Sequence, residues 1–422
     1  MPFTELQRQL DERAAQGLQR RRRVLESPQG VRITVDGKPC LSFCSNDYLG
    51  LANHPQLIAA LQAGAKQHGV GGGASHLVSG HFDAHQQLEN ELAAFVHKPA
   101  ALLFSTGYLA NLGAVQALVG RDDTVFADKL NHASLNDAML LSRADIKRYR
   151  HNDVAHLQQL LEQTNGHGNV AHDKFCHAHF PLSSSLPQAG ESDSVSLRES
   201  HVKCGRKLII TDAVFSMDGD LAPLTELLAL CERYDAWLLV DDAHGFGVLG
   251  EEGRGSLAHF GLDSPRIIHM ATLGKAAGVS GAFVAAEQVV IDTLVQNARS
   301  YIYTTASPPA LSSALLASLE VLREEEWRRE QLCELIAQLR GGLSNLPWTL
   351  MLSSTPIQPL LVGSNEDAVA LSDGLRARGI WVPAIRPPTV PQGTARLRIS
   401  LSSAHCKQDV MQLIKALHEL AQ

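Results

Sequence analysis

No stretch of this 422-residue sequence approaches the ~18 uninterrupted apolar residues of a membrane-crossing helix, so no transmembrane segment is expected. The opening residues, Met1-Pro2-Phe3-Thr4-Glu5, lack the basic segment and apolar core of a secretory signal. Cysteine is scarce. The seven present are an odd number and follow neither disulfide-framework nor metal-ligand spacing, which fits a reducing cytoplasm and gives no reason to expect a bound metal. Basic charge is short as well, with 37 Lys and Arg against 44 Asp and Glu, and the net charge of −7 argues against a general nucleic-acid binder. One basic run, Arg20-Arg21-Arg22-Arg23, stands out; it reads as a solvated helix end or as a contact for an anionic substrate. A dinucleotide fingerprint is missing too. The cluster Gly69-Val70-Gly71-Gly72-Gly73-Ala74-Ser75 has neither G-x-G-x-x-G spacing nor a strand-turn-helix setting, so it reads as a hinge or as a ligand loop of another kind.

What is there, 45% hydrophobic and 19% charged residues, is ordinary for a soluble globular enzyme of one large or two ordinary domains. Residues 4–23 read as an amphipathic helix, with Leu6, Leu10 and Leu18 among charges. Val31–Gly37 and Cys40–Phe43 read as a hairpin turning at Asp36-Gly37, and a helix follows near 55–68. Short apolar runs then alternate with helical segments. Strands are expected at Ala100–Phe104, Thr124–Ala127, Leu208–Thr211, Trp237–Val240, Ile267–Met270 and Gly281–Val284. That alternation predicts an α/β fold with a mainly parallel sheet covered on both faces, whose ligands gather at the carboxyl ends of the strands. Beyond residue 310 come helices at 311–322 and 332–343. A smaller α/β lobe follows, with strands at 357–362, 380–382 and 396–401 and helices at 367–378 and the C-terminus. The expected division is an N-terminal segment 1–50, a large domain 51–310 and a small domain 311–422. Residues 163–206 interrupt the pattern with loop-like composition and carry His167, His172, Cys176, His177, His179, His201 and Cys204 without a recognisable ligand spacing.

The polar groups that follow strands carry the chemistry: Gly107 and Tyr108, His132, Ser216, Asp241 and His244, Thr272 and Lys275. A lysine desolvated just past a strand loses its proton readily and forms a Schiff base with an aldehyde. Upstream, the strand Trp237–Val240 ends in Asp241, with His244 three residues later. A carboxylate at one strand end and a lysine after a later strand make the layout that pyridoxal 5′-phosphate (PLP) needs: the carboxylate keeps the pyridine nitrogen protonated and the lysine takes the aldehyde. Ser105-Thr106-Gly107-Tyr108 turns into a helix, and the Thr272 hydroxyl, on the same turn as Lys275, is within reach of a phosphate.

Longer motifs surround these residues: Cys44-Ser45-Asn46-Asp47-Tyr48-Leu49-Gly50, Val214-Phe215-Ser216-Met217-Asp218-Gly219-Asp220, Val240-Asp241-Asp242-Ala243-His244-Gly245, Leu273-Gly274-Lys275 and Ile385-Arg386-Pro387-Pro388-Thr389-Val390-Pro391. With them the chain resembles the α-oxoamine synthases, a family of fold-type I PLP-dependent enzymes. The last run points to the branch that serves biotin synthesis. The resemblance implies a large domain built on a seven-stranded sheet, a homodimer with sites at its interface, and a cytoplasmic enzyme. It implies decarboxylative condensation of L-alanine with pimeloyl-CoA or a pimeloyl-acyl carrier protein. By the same resemblance Lys275 and His132 are catalytic. Lys275 carries PLP, Asp241 pairs with the ring nitrogen, and His244 and Ser216 meet its phenolic side. His132 stacks on the ring face, and Gly107, Tyr108 and Thr272 hold the phosphate with Thr304 and Thr305 of the second subunit. Arg386 grips the amino-acid carboxylate, and Arg20, Asn46 and Thr389 are further substrate contacts. The departures are Asp212 where a Glu is expected, the pair Ala276-Ala277, and the 163–206 stretch. A glycine C-acetyltransferase, a non-catalytic scaffold subunit and a nucleotide-dependent dehydrogenase are the rival readings.

Overall fold

The computed structural model describes residues 2–16, 18–19, 22–166 and 205–422. Arg20, expected to touch substrate, and the histidine- and cysteine-bearing stretch 167–204 therefore lie outside the described residues. The chain opens with helix α1 (Thr4–Ala15) and a hairpin of β1 (Arg32–Val35) and β2 (Lys38–Ser42) that turns at Asp36-Gly37. The helix ends at Ala15 rather than near 23. It buries none of its residues, so little tertiary packing extends it, and the sequence places Gly17, a poor helix former, just beyond.

Helices α2 (Pro55–His68) and α3 (Asp83–Phe95) lead into the alternating region. There β3 (Ala100–Phe104), α4 (Gly107–Leu118), β4 (Thr124–Asp128), α5 (Ala133–Ser142), β5 (Asp145–Tyr149) and α6 (Val154–Gly166) follow one another. After them come β6 (Lys207–Asp212), α7 (Leu224–Tyr234), β7 (Trp237–Asp241), α8 (Ser256–His259), β8 (Ile267–Thr272) and β9 (Ala282–Ala286). The seven strands form one sheet in the order β3-β9-β8-β7-β6-β4-β5. It is mainly parallel, as expected; β9 alone runs against both its neighbours. The seventh strand, β5, has no counterpart in the expected set. Its sequence, Asp145-Ile146-Lys147-Arg148-Tyr149, is polar because it is an edge strand bonded only to β4.

Alternation along each strand builds the two layers. In β7, Leu238 and Val240 pack with Leu227 and Cys231 of α7 and Leu157 and Leu161 of α6. Leu239 points the other way, to Ala114 of α4, Met139 of α5 and Ile268 of β8. Because both faces are covered, the strand reads as a continuous apolar run that ends in Asp241.

Helices α9 (Gln288–Asn297), α10 (Arg299–Ile302), α11 (Pro309–Glu324) and α12 (Trp327–Gly342) precede the C-terminal lobe. The lobe contains β10 (Thr349–Leu350), β11 (Ile357–Gly363), α13 (Asn365–Ala377), β12 (Ile380–Trp381), β13 (Ala384–Ile385), β14 (Ala395–Ser400) and α14 (Lys407–Leu420). Strands β10-β11-β14-β13 make an antiparallel sheet, whereas β12 pairs in parallel with β2, so the N-terminal hairpin shares its sheet with the lobe. In β14, Leu397 and Ile399 face the apolar core, while Arg396 and Arg398 face the turns beyond the large sheet. Among the described residues, no helix is long and apolar enough to cross a membrane.

Phe283 of β9 is fully buried and lies edge-on to Phe246, with ring centroids 5.3 Å apart. Phe283→Ala is expected to cost about 3–5 kcal/mol of stability, read as a lower urea midpoint with an unchanged slope.

Candidate active site

Lys275 sits in a tight turn past β8, closed by hydrogen bonds from Gly278 N–H to Lys275 O (2.9 Å) and from Val279 N–H to Leu273 O (3.1 Å). Gly278 has φ of 72°, and a Cβ there would meet Leu51 at 2.6 Å, so glycine is required on both counts. The turn aims the Lys275 amine inward, 2.7 Å from His244 Nε2. Burial pulls its pKa down, the carboxylates of Asp241 and Asp212 push back, and the balance leaves it at about 8.

His244 continues the line: its Nδ1 lies 2.7 Å from the Tyr48 hydroxyl, which also reaches Asn46 Oδ1 at 3.2 Å. Burial keeps His244 neutral, with its pKa well below the ordinary value. A neutral ring has one donor nitrogen and one acceptor, and the line works in both directions. With Lys275 protonated, the ammonium donates to Nε2 and Nδ1–H donates to Tyr48. With Lys275 neutral, Nε2–H donates to the amine and the Tyr48 hydroxyl donates to Nδ1. The lysine can change protonation state without leaving a buried group unpaired.

Asp241 ends β7 with its carboxylate buried; Oδ2 accepts from Asn111 Nδ2 (2.7 Å) and Oδ1 from Ala243 N–H (3.0 Å). Burial raises its pKa, and Lys275 and Asn111 oppose that shift. Its partner in the sheet register is Asp212, whose pKa is raised well above normal by burial and by Asp241. Asp212 Oδ2 accepts the His132 N–H at 2.7 Å, so the shorter acid in place of the expected Glu serves as a backbone anchor. His132 caps α5. Its Nδ1 accepts from Ser134 N–H (3.3 Å) and meets Ser134 Oγ at 2.8 Å, while Asn111 Nδ2 donates to that hydroxyl at 2.9 Å. With Nδ1 an acceptor and the ring kept neutral by burial, the proton sits on Nε2.

Gly107 opens α4 beside Thr272: a Cβ at Gly107 would stand 3.7 Å from Thr272, and one at Gly274 would stand 3.8 Å from its hydroxyl. The two glycines and Thr272 thus shape a small cradle at a helix N-terminus. The Tyr108 phenol is turned away and donates to Asp137, leaving its backbone amide at the helix start. Ser216 lies in the turn after β6, its carbonyl accepting Arg398 Nε–H at 2.6 Å.

The structure therefore brings together Lys275, His244, Asp241, His132 and Asn46 through hydrogen bonds and charge, with Gly107 next to Thr272. Sequence reasoning missed Tyr48, Asn111 and Arg398. The Arg398 guanidinium reaches Ser216 O, Asn46 Oδ1 (3.1 Å) and Tyr48 (3.4 Å), making it the arginine in direct line with Lys275. The one available signal was the pattern Arg396-Leu397-Arg398-Ile399, in which both arginines share a strand face. Arg386 and Thr389 line a cleft of about 200 Å³ with Arg13 and Leu18. Thr304 and Thr305 lie between α10 and α11, and no hydrogen bond among the described residues joins them to Lys275. The next residue, Ala306, donates its N–H to Ala74 O (2.9 Å).

His76, His81 and His85 form a second polar cluster, and the first two border a cavity of about 610 Å³ with Glu89 and Tyr301. Its geometry suits packing better than metal ligation. His85 accepts the Phe82 N–H through Nδ1 (3.1 Å) and donates to Ser307 O through Nε2 (2.9 Å), so both its nitrogens are committed. His76 and His81 face each other through Nδ1 at 2.9 Å.

The profile of the aminotransferase class I and II family matches residues 38–417, and the chain belongs to that family. The chain is 57% identical to the 8-amino-7-oxononanoate synthase of Nitrosomonas europaea over 423 residues, covering 100% of both chains. With the same enzyme of Nitrosospira multiformis it shares 58% over 415 residues, 98% of this chain and 95% of the relative. Within the family it belongs with the 8-amino-7-oxononanoate synthases. Among solved structures it resembles a serine palmitoyltransferase with a PLP internal aldimine, at TM-score 0.85 and 27% identity over 99% of this chain and 96% of that one. It also resembles the 8-amino-7-oxononanoate synthase of Francisella tularensis, at TM-score 0.71 and 30% identity over 90% and 97%.

Labelling of Lys275 by an amine-reactive reagent, mapped by peptide mass, is expected to rise with pH through a midpoint of about 8 in the cofactor-free protein. Asp241 favours the ammonium, so Asp241→Asn moves the midpoint lower. A midpoint at the ordinary lysine value would show that the amine is solvated.

Proposed function

We propose that the chain is a PLP-dependent acyltransferase of biotin biosynthesis. It condenses L-alanine with a pimeloyl thioester and releases 8-amino-7-oxononanoate, CO2 and the free thiol. The observation that carries this reading is the inward-turned Lys275 amine, held at a pKa of about 8 between His244 and two buried carboxylates. It stands in a chain whose full length is 57% identical to an enzyme of that name.

The residues fit the cofactor. The buried Asp241 carboxylate needs a cation, and a protonated pyridine nitrogen supplies one. The Gly107–Thr272 cradle lacks the side-chain atoms that a Cβ would put there and opens on helix amides, which suits a phosphate. His132 would cover the ring face, and Ser216 and His244 would meet the phenolic oxygen. When bound, the cofactor accepts the electron pair left by a bond broken at the amino acid's α-carbon.

The chain's own groups then divide the work. Arg386 or Arg398 holds the alanine carboxylate, for which a guanidinium is the matching fork. Lys275, as free amine, takes the α-proton and later returns one to the product carbon, with the His244–Tyr48 line following its protonation. The α-carbon bonds to the thioester carbonyl, the carbon–sulfur bond breaks and the thiol leaves. His132 Nε2–H donates to the carbonyl oxygen as negative charge builds there. Loss of the carboxyl group as CO2 completes the atom balance. Asn46, Thr389 and Arg20 complete the substrate contacts.

The same reading makes the protein a homodimer. Helix α1 leaves Leu6 and Leu10 exposed and Tyr303 is exposed as well, surfaces available to a second subunit, which Thr304 and Thr305 would serve on this reading. We place the enzyme in the cytoplasm, consistent with free thiols at Cys40, Cys44, Cys231, Cys333 and Cys406. Light scattering is expected to give twice the 45.7 kDa chain mass.

Purified protein with PLP, L-alanine and pimeloyl-CoA or pimeloyl-acyl carrier protein should form 8-amino-7-oxononanoate, detected by mass. Lys275→Ala should lower turnover about a thousandfold or more, and His132→Gln should lower kcat and kcat/KM together by about a hundredfold. Product from glycine and acetyl-CoA, with none from either pimeloyl donor, would replace this reading by a glycine C-acetyltransferase.

A further inference from the structure

We propose that His151 is a positioning residue of the cofactor pocket: as an imidazolium it ties the turn that carries His132 to the turn that carries Ser216. The proposal rests on the reading of those two residues as cofactor contacts.

His151 follows the edge strand β5 and makes no hydrogen bond to Lys275, Asp241 or His244, yet it joins the two turns through their carboxylates. Its Nδ1 lies 3.1 Å from Asp128 Oδ1 and its Nε2 lies 2.8 Å from Asp220 Oδ2. Asp128 is the last residue of β4, with its side chain buried. Its Oδ1 also accepts Leu130 N–H (2.8 Å), which starts the turn Leu130-Asn131-His132. Asp220 closes the Ser216 turn, where Phe215 N–H donates to Asp220 O (3.0 Å) and Gly219 N–H to Phe215 O (2.8 Å). The His151 ring also stands at 90° to Phe215, the neighbour of Ser216, with centroids 4.4 Å apart.

Charge makes this tie specific. A neutral imidazole has one N–H and would leave one of the two carboxylates facing a lone pair; only the doubly protonated ring donates to both. Burial alone would lower the His151 pKa, but the hydrogen bonds to Asp128 and Asp220 outweigh it and hold it at about 10. Asn152 repeats the bridge, its N–H on Asp128 Oδ2 (2.8 Å) and its Nδ2 on Asp220 Oδ2 (2.9 Å). Asp220 Oδ1 is buried without a hydrogen-bond partner, so this carboxylate leans on His151 and Asn152 through one oxygen. Two turns that approach the cofactor from adjacent strands, β4 and β6, are thus set against each other by one cation.

The test compares wild type, His151→Gln, His151→Lys and Ser216→Ala in the full chain, measuring PLP affinity from the absorbance of the lysine-bound cofactor, kcat and KM, and thermal unfolding. His151→Gln is expected to weaken PLP binding about tenfold or more and to lower kcat, with KM for both substrates near wild type; His151→Lys recovers most of the loss. PLP affinity and kcat equal to wild type in His151→Gln, with only a lower unfolding temperature, would overturn the proposal and leave a purely structural ion pair. If His151→Gln does not fold, Asp220→Asn removes one tie and must weaken PLP in the same way, and no change there overturns the proposal. An unaltered PLP affinity in Ser216→Ala would instead defeat the reading of Ser216 as a cofactor contact, and this inference with it.

Discussion

Two carboxylates side by side in an apolar interior are the constraint around which the rest of the site is arranged. Asp212 and Asp241 are register partners at the ends of β6 and β7, both buried, and each raises the cost of ionising the other. The Lys275 amine is drawn inward to this pair, and the Asn111 amide and the backbone amides of Ala243 and His132 supply the neutral donors. Without positive charge above them the pair is unfavourable. On the proposed reading, a ring nitrogen that prefers to be protonated next to Asp241 would relieve that cost and turn it into affinity for the cofactor.

The C-terminal four-stranded sheet is tied into the same balance. Arg398 enters from β14 and spends its guanidinium on Ser216, Asn46, Tyr48 and Ser400, all hydrogen-bonding groups rather than a formal counter-ion. It depresses the pKa of both His244 and Lys275 by charge alone. Arg396, two residues earlier, instead pairs with Asp218 at 2.6 Å. One strand face therefore does two jobs: Arg396 locks the lobe to the turn after β6, and Arg398 tunes the groups at the lysine.

Much of this was legible in the sequence, for identifiable reasons. The buried strands β3, β4, β6, β7 and β8 announce themselves as apolar runs, and the residues that end or follow them sit where open α/β sheets place their ligands. Asp241, His244, Lys275, His132 and the Gly107–Thr272 cradle were accessible from that rule. What stayed hidden depends on contacts distant in the chain. Edge strand β5 looks polar because it has only one strand neighbour. Arg398 looks like half of a solvent-facing stripe until β14 turns it inward, and Tyr48 and His244, which meet through a hydrogen bond, stand 196 residues apart in the chain. His151 gives no local sign at all, since its partners come from β4 and from the turn after β6.

The parallel pairing of β2 with β12 sets an order in time as well as in space. On a ribosome adding about 5–20 residues per second, the early hairpin waits tens of seconds before Ile380 and Trp381 emerge to complete its sheet. Asn46 and Tyr48, just beyond that hairpin, likewise wait for Arg398. The site is therefore among the last parts of the molecule to mature, and a chain released early would carry the reactive lysine without the surroundings that make it selective.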